Sequence, residues 1–338
     1  MKKKILITGA AGFLGNLSKE YFSKKYNLIL VDKIFMKASN FYQADITNYE
    51  SINLIIKKEK PDIILHYASE IFDSYDKQKI YSTNINGTHN VYKSAFNNFV
   101  KNLIFTSTFS IYEKNYNYTL DETEPASCKN FYGLSKVEAE RILLSSDKRM
   151  NVTIFRCPII LDKSRAHRLG VLFEFIKDNC ALWILGKGDN KLQFLSANDL
   201  LKVIEKSFLL KGVNVFNIGT DKVLTIKEIF EFLIKNTKSK SKLKHFNKSL
   251  GLILLKILSK LRLINFIDYH NKILVSSIIM NISKVKKKLN YHPSKNNAEL
   301  LLEAYNYYIN DLKLNTSGSG KKPEMGFFNI IKFFSRFF

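Results

Sequence analysis

The chain has 338 residues, of which 46% are hydrophobic, so it can bury a large core and is too apolar to be a disordered protein. Its 53 Lys and Arg residues outnumber its 30 Asp and Glu residues, which gives a formal charge of +23. This balance suits anionic ligands such as nucleotide sugars, anionic lipid or nucleic acid. Compositional drift is the simpler explanation, because much of the charge is Lys scattered along predicted helices together with many Asn and Ile residues. We expect no nucleic-acid partner, because no nucleic-acid-binding motif accompanies the charge.

The N-terminus runs straight into a predicted strand, and no stretch of about 18 uncharged apolar residues occurs. We therefore expect neither a signal peptide nor a spanning helix, and a cytoplasmic protein. The three cysteines, Cys128, Cys157 and Cys180, lack metal-ligand spacing. They are predicted to be core or near-core thiols in a reducing compartment.

Strands and helices are predicted to alternate through the first half of the chain. The strands are 4–8, 28–32, 62–66, 102–107 and 152–156, and the helices are 13–25, 49–59, 83–99 and 133–147. This alternation predicts the α/β class, with a Rossmann-type doubly wound parallel sheet and helices on both faces.

After residue 157 the pattern is less regular and predicts a smaller C-terminal substrate domain. Residues 1–157, with about 193–218 returning to the sheet, form the predicted NAD-binding domain. Residues 158–192 and 219–312 form the predicted substrate-binding domain. Within it, Thr225 and Glu228 predict a capping box at a helix start. The apolar run 249–264 predicts a helix of the kind found more often in a core or subunit contact than in a membrane.

The C-terminal end combines a predicted linker with a predicted amphipathic helix. Residues 313–325 are linker-like, and residues 326–338 would place aromatic side chains on one helix face and Asn329, Lys332 and Arg336 on the other. Such a helix is too short to cross a bilayer and suits the membrane interface. The alternatives are that this segment packs on the protein itself, that it packs on a partner, or that it is an appended segment.

A glycine loop follows the first predicted strand, from Thr8 to Gly15. Gly9 allows the tight turn, Gly12 leaves room for a pyrophosphate, and Gly15 lets the following helix pack closely. The helix N-terminus offers free N–H groups to an anion. An ordinary turn is the alternative, but the context favours a dinucleotide site.

Asp32 ends the second predicted strand, where an acidic side chain accepts hydrogen bonds from the adenosine ribose. A carboxylate there favours NAD, because it would repel a 2′-phosphate, and the neighbouring Lys33 weakens that preference. The loop and Asp32 together predict an NAD site.

Tyr132 and Lys136 lie four residues apart on a predicted helix, so they share one face. An ammonium near a phenol stabilises the phenolate, which could take a proton from a sugar hydroxyl while hydride leaves the same carbon. Thr108, at the carboxyl end of a predicted strand, could hydrogen-bond that hydroxyl. The alternative for Tyr132 and Lys136 is a solvated helix face, and the alternative for Thr108 is a strand-end cap.

Several motifs in order carry a resemblance to a known family. They are Thr8–Gly15, Asp32, Asp45-Ile46, His66-Tyr67-Ala68-Ser69, Asn84-Ile85-Asn86-Gly87-Thr88, Thr108, Tyr132 with Lys136, Arg156-Cys157-Pro158 and Asn217-Ile218-Gly219. Over about residues 3–312 the chain resembles the extended short-chain dehydrogenases/reductases, specifically the NAD-dependent epimerase/dehydratase family that acts on nucleotide sugars, including UDP-glucose 4-epimerase-like enzymes.

The resemblance implies a role for each matching residue. Tyr132 is the implied acid/base, Thr108 orients the substrate hydroxyl, and Lys136 binds the nicotinamide ribose and tunes Tyr132. The implied cofactor contacts are Gly9, Gly12, Phe13, Leu14, Gly15, Asp32, Asp45 and Ile46 beside adenine, Ala68, Asn84, Tyr132 and Lys136. Relatives often dimerise through the helices equivalent to 83–99 and 133–147, so a homodimer is expected.

Departures from the family pattern bear on which reaction the protein catalyses and on which residues bind the diphosphate. Phe109 and Ser110 follow Thr108, where dehydrating members carry Asp-Glu, so dehydration is disfavoured. Cys157 stands where galactose-type epimerases often carry Asn, and Leu192 stands where a phosphate-binding Arg is usual. Candidate diphosphate ligands are instead Arg165, Arg168, Lys191 and Lys163.

We therefore predict an NAD-dependent nucleotide-sugar epimerase that oxidises a sugar carbon, C4 being favoured, and returns hydride to the keto intermediate. A nucleotide-sugar dehydrogenase or ketoreductase uses the same three catalytic residues and stays open. A non-catalytic NAD-binding scaffold held at a membrane is the alternative of a different class. For any of these, the inner membrane surface is a candidate location.

Overall fold

The computed structural model describes residues 2–71, 76–112, 118–146, 149–261 and 276–315. The predicted tail helix 326–338 lies outside these residues. The last described helix continues to Asn315, three residues into the predicted linker, and the rest of that linker lies outside the described residues too.

Eleven strands are formed by the described residues. In chain order they are β1 (Lys4–Thr8), β2 (Asn27–Asp32), β3 (Phe41–Gln43), β4 (Ile63–His66), β5 (Asn102–Thr108), β6 (Asn151–Cys157), β7 (Ile159–Leu161), β8 (Leu182–Leu185), β9 (Phe194–Ser196), β10 (Val213–Asn217) and β11 (Leu243–Phe246).

Seven of these strands form one parallel sheet in the order β10-β6-β5-β4-β1-β2-β3. The chain winds outward in opposite directions from β1, so the crevice between the carboxyl ends of β1 and β4 is the topological switch point, where ligands bind in this architecture. The predicted Rossmann-type doubly wound sheet is thereby confirmed.

The strands are almost continuously apolar because helices cover both faces of the sheet. Alternate residues of β1 serve two separate cores: Ile5 and Ile7 pack with one, and Leu6 packs with the other. All seven residues of β5 are buried. Burial on both faces explains why the periodicity of the sequence locates these strands well.

The α-helices in chain order are α1 (Phe13–Phe22), α2 (Tyr49–Glu59), α3 (Lys77–Tyr81), α4 (Gly87–Asn97), α5 (Phe131–Leu144), α6 (Gly170–Lys177), α7 (Ala197–Ser207), α8 (Ile226–Thr237), α9 (Lys248–Lys260), α10 (Ser283–Leu289) and α11 (Asn297–Asn315). The helix predicted at 83–99 starts earlier, with α3, and a π-helical turn over Ser82–Asn86 joins α3 to α4. The predicted capping box of Thr225 and Glu228 begins α8.

A second apolar cluster forms beyond the sheet, with Phe175, Ile176, Leu233 and Leu301 among its buried members. Two small parallel sheets adjoin it, one of β7 with β9 and one of β8 with β11. Residues 193–218 are predicted to return to the large sheet. Within them, β10 pairs with β6 of that sheet and α7 packs against α1, whereas β9 pairs with β7 in a small sheet. The division into two domains stays a prediction.

Helix α9 is covered on one side only, and the expectation of a core or subunit contact for this helix is met as a core contact on that side. Gly251 lies against Leu185 of β8 and Phe246 of β11, so one side of α9 packs on the smaller sheet. The opposite side exposes aliphatic side chains. None of the helices in the described part of the chain is long and apolar enough to cross a membrane.

Candidate active site

The glycine loop connects β1 to α1 at the switch point of the sheet. Gly9 has a φ of +72°, and a Cβ there would lie 2.6 Å from the backbone nitrogen of Ala68. A Cβ on Gly15 would lie 2.2 Å from the carbonyl oxygen of Gly9. Both positions therefore require glycine, one for its conformation and one for close helix packing.

The N-terminus of α1 is left without a side-chain cap. Its N-cap residue is Gly12, whereas α2, α5, α7 and α8 each begin with a side chain that accepts from the first turn. The N–H groups of the first turn of α1 are therefore free of a competing side chain, which suits an anionic group.

Asp32 is fixed beside this loop. Its Oδ2 accepts a hydrogen bond from the Ala11 N–H at 2.9 Å, and its Oδ1 accepts one from Ile34. The neighbouring Lys33 forms an ion pair with Glu70, which follows β4. Because Glu70 offsets the charge of Lys33, the preference for a ribose without a 2′-phosphate is stronger than the sequence alone indicates.

Asp45 and Ile46 follow β3 and have different environments. The Asp45 side chain accepts from the Thr47 N–H and hydroxyl, both at 2.9 Å, and the residue is exposed. The Ile46 side chain is buried against Gly87 at the start of α4. Its side chain therefore belongs to the core, and its contact with adenine stays a prediction.

Asn84 joins the loop after β4 to the helix that carries Tyr132. Its Oδ1 accepts from the Glu70 N–H at 2.8 Å and from Ser69, while its Nδ2 donates to the Ser135 hydroxyl at 2.9 Å. Asn84 lies in the π-helical turn, a geometry frequent at functional sites. Asn84 thus links the loop after β4 to α5, and its contact with the cofactor stays a prediction.

Thr108 ends β5 and starts a 3₁₀ turn over residues 109–111. Its Oγ1 accepts from the Ser110 N–H at 3.1 Å and donates to the Ser110 hydroxyl. The Phe109 ring is buried in a small apolar cluster with Ile111 and Tyr112. The strand end therefore presents two hydroxyls, and the position next to Thr108 carries no ionisable group.

Tyr132 and Lys136 lie one turn apart in α5, which begins at Phe131. A Cβ on the intervening Gly133 would lie 2.7 Å from the Ser110 carbonyl oxygen, so the glycine allows α5 to approach the end of β5 closely. The fold thus brings Thr108, Tyr132 and Lys136 to one end of the sheet, at the carboxyl ends of the strands.

Lys136 is buried, and its ammonium donates to the Thr106 carbonyl at 3.1 Å and lies 4.4 Å from the centre of the Phe105 ring. Burial lowers the pKa of Lys136 to about 8, although Glu140 opposes the shift. At neutral pH the ammonium is thus largely protonated but easily neutralised, which suits a group that stabilises a phenolate.

His66 is a buried member of the site whose role is not evident from the sequence. Its ring nitrogens contact the hydroxyls of Thr8 at 2.7 Å and Thr88 at 3.0 Å, so it links β1, β4 and α4. Burial lowers the pKa of His66 to about 3, with a smaller contribution from Lys136. It is therefore a neutral connector of the strands on either side of the crevice.

Arg165 is the one of the four candidate diphosphate ligands that contacts the glycine loop. Its guanidinium carbon lies 3.6 Å from the centre of the Phe13 ring. Burial lowers the pKa of Arg165 to about 10, Arg168 adds to the shift, and Tyr132 opposes it. Both Arg168 and Lys163 are exposed, and the backbone N–H of Lys191 bonds to the Ser277 hydroxyl.

A buried ion pair, not predicted from the sequence, supports the catalytic helix from behind. Arg156, at the end of β6, binds Glu140 of α5 through Nε and Nη2, the latter at 2.8 Å. Its Nη1 donates to the Tyr112 hydroxyl at 2.6 Å and to the Glu122 carbonyl at 3.0 Å. Arg156 and Glu140 are 16 residues apart, so no local spacing in the sequence indicates this pair.

Cys157, which follows Arg156 at the end of β6, does not contribute a reactive group to this site. Cys157 and Cys180 are buried and Cys128 is half-buried, and all three are free thiols, as predicted. Burial raises the pKa of Cys157 to about 12, so its thiol stays protonated.

The family model described as the NAD dependent epimerase/dehydratase family matches residues 5–219. The chain belongs to this family. The match covers the seven-stranded sheet, the glycine loop and the helix with Tyr132 and Lys136, so the predicted family and its NAD dependence are confirmed.

Curated relatives in this family perform different reactions. The chain is 30% identical over 260 residues to the dTDP-D-glucose 4,6-dehydratase of Dictyostelium discoideum, covering 65% of this chain and 58% of that protein. It is 24% identical over 266 residues to the N-acetyl-alpha-D-glucosaminyl-diphospho-ditrans,octacis-undecaprenol 4-epimerase of Escherichia coli O157:H7, covering 75% and 78%.

Among solved structures, the Bordetella bronchiseptica enzyme WbmG in complex with NAD and UDP has the same fold. It superposes with a TM-score of 0.71 at 20% identity, covering 90% of this chain and 94% of that chain.

Proposed function

We propose that this protein is an NAD-dependent nucleotide-sugar epimerase that oxidises a sugar carbon, C4 being the favoured position, and returns the hydride to the keto intermediate. The observation that carries this proposal is the junction of α5 with the end of β5. There Thr108, Tyr132 and Lys136 share one end of the sheet with the glycine loop, and the two residues that follow Thr108 are Phe109 and Ser110, neither of them acidic.

The residues of the crevice suit NAD. Gly9 and Gly15 allow the tight loop and the close packing of α1, the first turn of α1 lacks a capping side chain, and the Asp32 carboxylate lies beside the loop. In this proposal Phe13, Leu14 and Ala68 line the dinucleotide. Asp45 and Ile46 flank adenine, Asn84 holds the nicotinamide end, and Lys136 binds the nicotinamide ribose.

The chemistry follows from the side chains. Bound NAD would supply a reversible hydride acceptor. The Lys136 ammonium would stabilise the Tyr132 phenolate, which would take the proton of the sugar hydroxyl as the carbon is oxidised and so become the phenol. Thr108 would hold the same hydroxyl, and Tyr132 would return the proton to the new alkoxide once hydride has reached the other face of the keto sugar.

Epimerisation is favoured over dehydration by the residue next to Thr108. Elimination of water requires a general acid and a general base close to the reacting carbons. Phe109 is buried and apolar, and Ser110 is bound to Thr108. The Dictyostelium relative named as a dehydratase shows that family membership alone does not decide between the reactions.

Two further expectations accompany this function. Helices α4 and α5, which correspond to the predicted helices 83–99 and 133–147, are the ones through which we expect a homodimer. The segment 326–338, predicted from the sequence to be an amphipathic helix, is expected to contact a membrane surface. Both can be tested with the full chain, by light scattering for the dimer and by vesicle binding with and without residues 321–338 for the tail.

A panel of UDP-linked and dTDP-linked hexoses, followed by NMR of the products and by absorbance of NADH, tests the proposed reaction. We expect a 4-epimer to form with no net NADH. Net NADH would identify a dehydrogenase, and a 6-deoxy-4-keto sugar would identify a dehydratase. NAD binding without turnover of any member would favour the scaffold.

Gly9→Ala is expected to weaken NAD binding by at least tenfold in a fluorescence titration, because its Cβ would push Ala68 and the loop apart. Gly212→Ala is a matched control, since Gly212 has a similar φ of +68° but no atom within 4 Å of where a Cβ would lie. The control should lose about 1–2 kcal/mol of stability from backbone strain alone and bind NAD normally. Equal NAD affinity in both variants would contradict the assignment of the loop.

A further inference from the structure

Helix α9 carries an exposed aliphatic stripe. Leu250, Ile253, Leu254, Ile257 and Leu261, the last just beyond the end of the helix, are each between 47% and 62% exposed. Their spacing of three, four, seven and eleven residues from Leu250 places them on one helix face. Scattered exposed aliphatic residues are common on protein surfaces, but a continuous stripe of five marks an interaction surface.

The opposite side of α9 is anchored in the fold. Gly251 is buried, and a Cβ there would lie 2.4 Å from Leu185 and 3.2 Å from Phe246, so the helix lies directly on the sheet of β8 and β11. The exposed stripe is therefore the side of α9 that faces away from the protein.

The same face of this small sheet carries an exposed Trp. Side chains two apart on a strand point the same way, so Trp183 lies on the face of β8 that Leu185 shares with α9. Trp183 is 44% exposed, and the Lys244 ammonium lies 5.5 Å from the centre of its ring. An exposed Trp beside a Lys is typical of a protein surface at the boundary between headgroups and acyl chains.

Cations border the aliphatic stripe. Lys256 and Lys260 are exposed and lie one turn apart along one edge of it, and Lys248 is exposed at the start of the helix. α9 contains no acidic residue. Together with the overall charge of +23, this arrangement attracts an anionic surface and repels a second copy of the same face.

We propose that the α9 face, defined by Leu250, Ile253, Leu254, Ile257, Leu261 and Trp183, docks in the plane of an anionic lipid bilayer. At 13 residues the helix is about 20 Å long, so it lies along the interface and does not cross it. Aliphatic side chains enter the acyl boundary while the bordering lysines meet lipid phosphates.

Docking through α9 orients the proposed active site. The start of α9 covers the turn after β8: the Gly186 N–H donates to the Phe246 carbonyl, and the Lys248 Cβ lies beside Gly186. This turn leads to Lys191, one of the candidate diphosphate ligands. The C-terminal, substrate-binding part of the chain would thus face the lipid, and the outer helices of the expected dimer would remain a separate surface.

Co-sedimentation of the full chain with vesicles tests the proposal. The vesicles contain equal parts of phosphatidylglycerol and phosphatidylcholine, and pure phosphatidylcholine vesicles serve for comparison. We expect the wild type to bind the anionic vesicles and the Ile253→Gln/Ile257→Gln variant to bind at least tenfold more weakly. The matched control, Leu54→Gln/Leu209→Gln, removes two aliphatic side chains that are 63% and 80% exposed elsewhere, and should bind like the wild type.

A second pair of variants tests whether Lys256 and Lys260 bind the vesicles through their position on α9 or only through the net charge of the protein. Lys256→Glu/Lys260→Glu should weaken binding to anionic vesicles more than Lys101→Glu/Lys211→Glu, which changes the net charge equally at exposed positions outside α9. The NAD-dependent rise in melting temperature checks that each variant is folded, and no turnover is needed for this test.

Three results would overturn the proposal. One is a wild type that does not bind anionic vesicles. Another is undiminished binding by the α9 variants, which would assign any binding to the tail or to net charge. The third is a shift from dimer to monomer in the Ile253→Gln/Ile257→Gln variant with unchanged vesicle binding, which would make the α9 face a contact between copies of the chain.

Discussion

Tyr132→Phe is expected to lower kcat by about a thousandfold, because it removes the only hydroxyl that the proposed mechanism uses to exchange a proton with the sugar. NAD affinity should stay within about threefold of the wild type, since Phe preserves the ring and the start of α5 is held by Asn130 and Ser135. Stopped-flow or product-quench assays with the substrate found in the sugar panel measure kcat, and fluorescence titration measures NAD affinity.

The control for Tyr132→Phe is Tyr307→Phe, which makes the same chemical change at a Tyr that is 36% exposed on α11. It should leave kcat unchanged. Turnover by Tyr132→Phe at the wild-type rate would exclude Tyr132 as the acid/base. A large loss of NAD affinity would instead assign the residue to cofactor binding alone.

The sequence predicts the sheet well because parallel strands covered on both faces read as apolar runs, and β1, β2, β4, β5 and β6 all have that character. The short strands were not predicted. Three residues of β3 or β9 leave no period to detect, and their pairing depends on distant partners. The same limit applies to the helix predicted at 83–99, because a π-helical turn interrupts its period.

The site residues likewise fall into two groups: those that a local sequence pattern indicates and those that depend on distant parts of the chain. The glycine loop and the pair Tyr132 and Lys136 are local patterns, and the fold brings them to one end of the sheet. The ion pair of Glu140 with Arg156 and the exposed side of α9 depend on residues far apart in the chain. An apolar helix sequence does not say which side is covered. In α9 one side packs on the small sheet, and a subunit contact through the other side stays a prediction.

The buried ion pair of Arg156 with Glu140 joins the end of β6 to α5, and one substitution in it should have a large effect on stability. The side chains of Arg156 and Glu140 are only 10% and 5% exposed, and the guanidinium also binds Tyr112 and Glu122. Removing one member of such a pair leaves a buried charge without its partner, which destabilises a protein by about 3–5 kcal/mol.

Glu140→Gln is therefore expected to lower the free energy of unfolding by about 3–5 kcal/mol and the melting temperature by roughly 5–10 °C. Glu138→Gln is the matched control on the same helix, because it breaks the pair of Glu138 with Arg141, which is exposed. An exposed pair contributes at most about 1 kcal/mol. Equal melting temperatures for the two variants would contradict a structural role for the buried pair.

Glu140→Gln should also change the pH dependence of turnover at temperatures where the variant is folded. The Glu140 carboxylate raises the pKa of Lys136, against burial, which lowers it to about 8. Without that carboxylate the pKa of Lys136 falls further, so Lys136 loses its proton at a lower pH. The decline of kcat at high pH should then begin at lower pH in Glu140→Gln than in Glu138→Gln. If the ion pair is purely structural, kcat should begin to decline at the same pH in both variants. The pH profile therefore decides whether Glu140 also keeps the Lys136 ammonium charged.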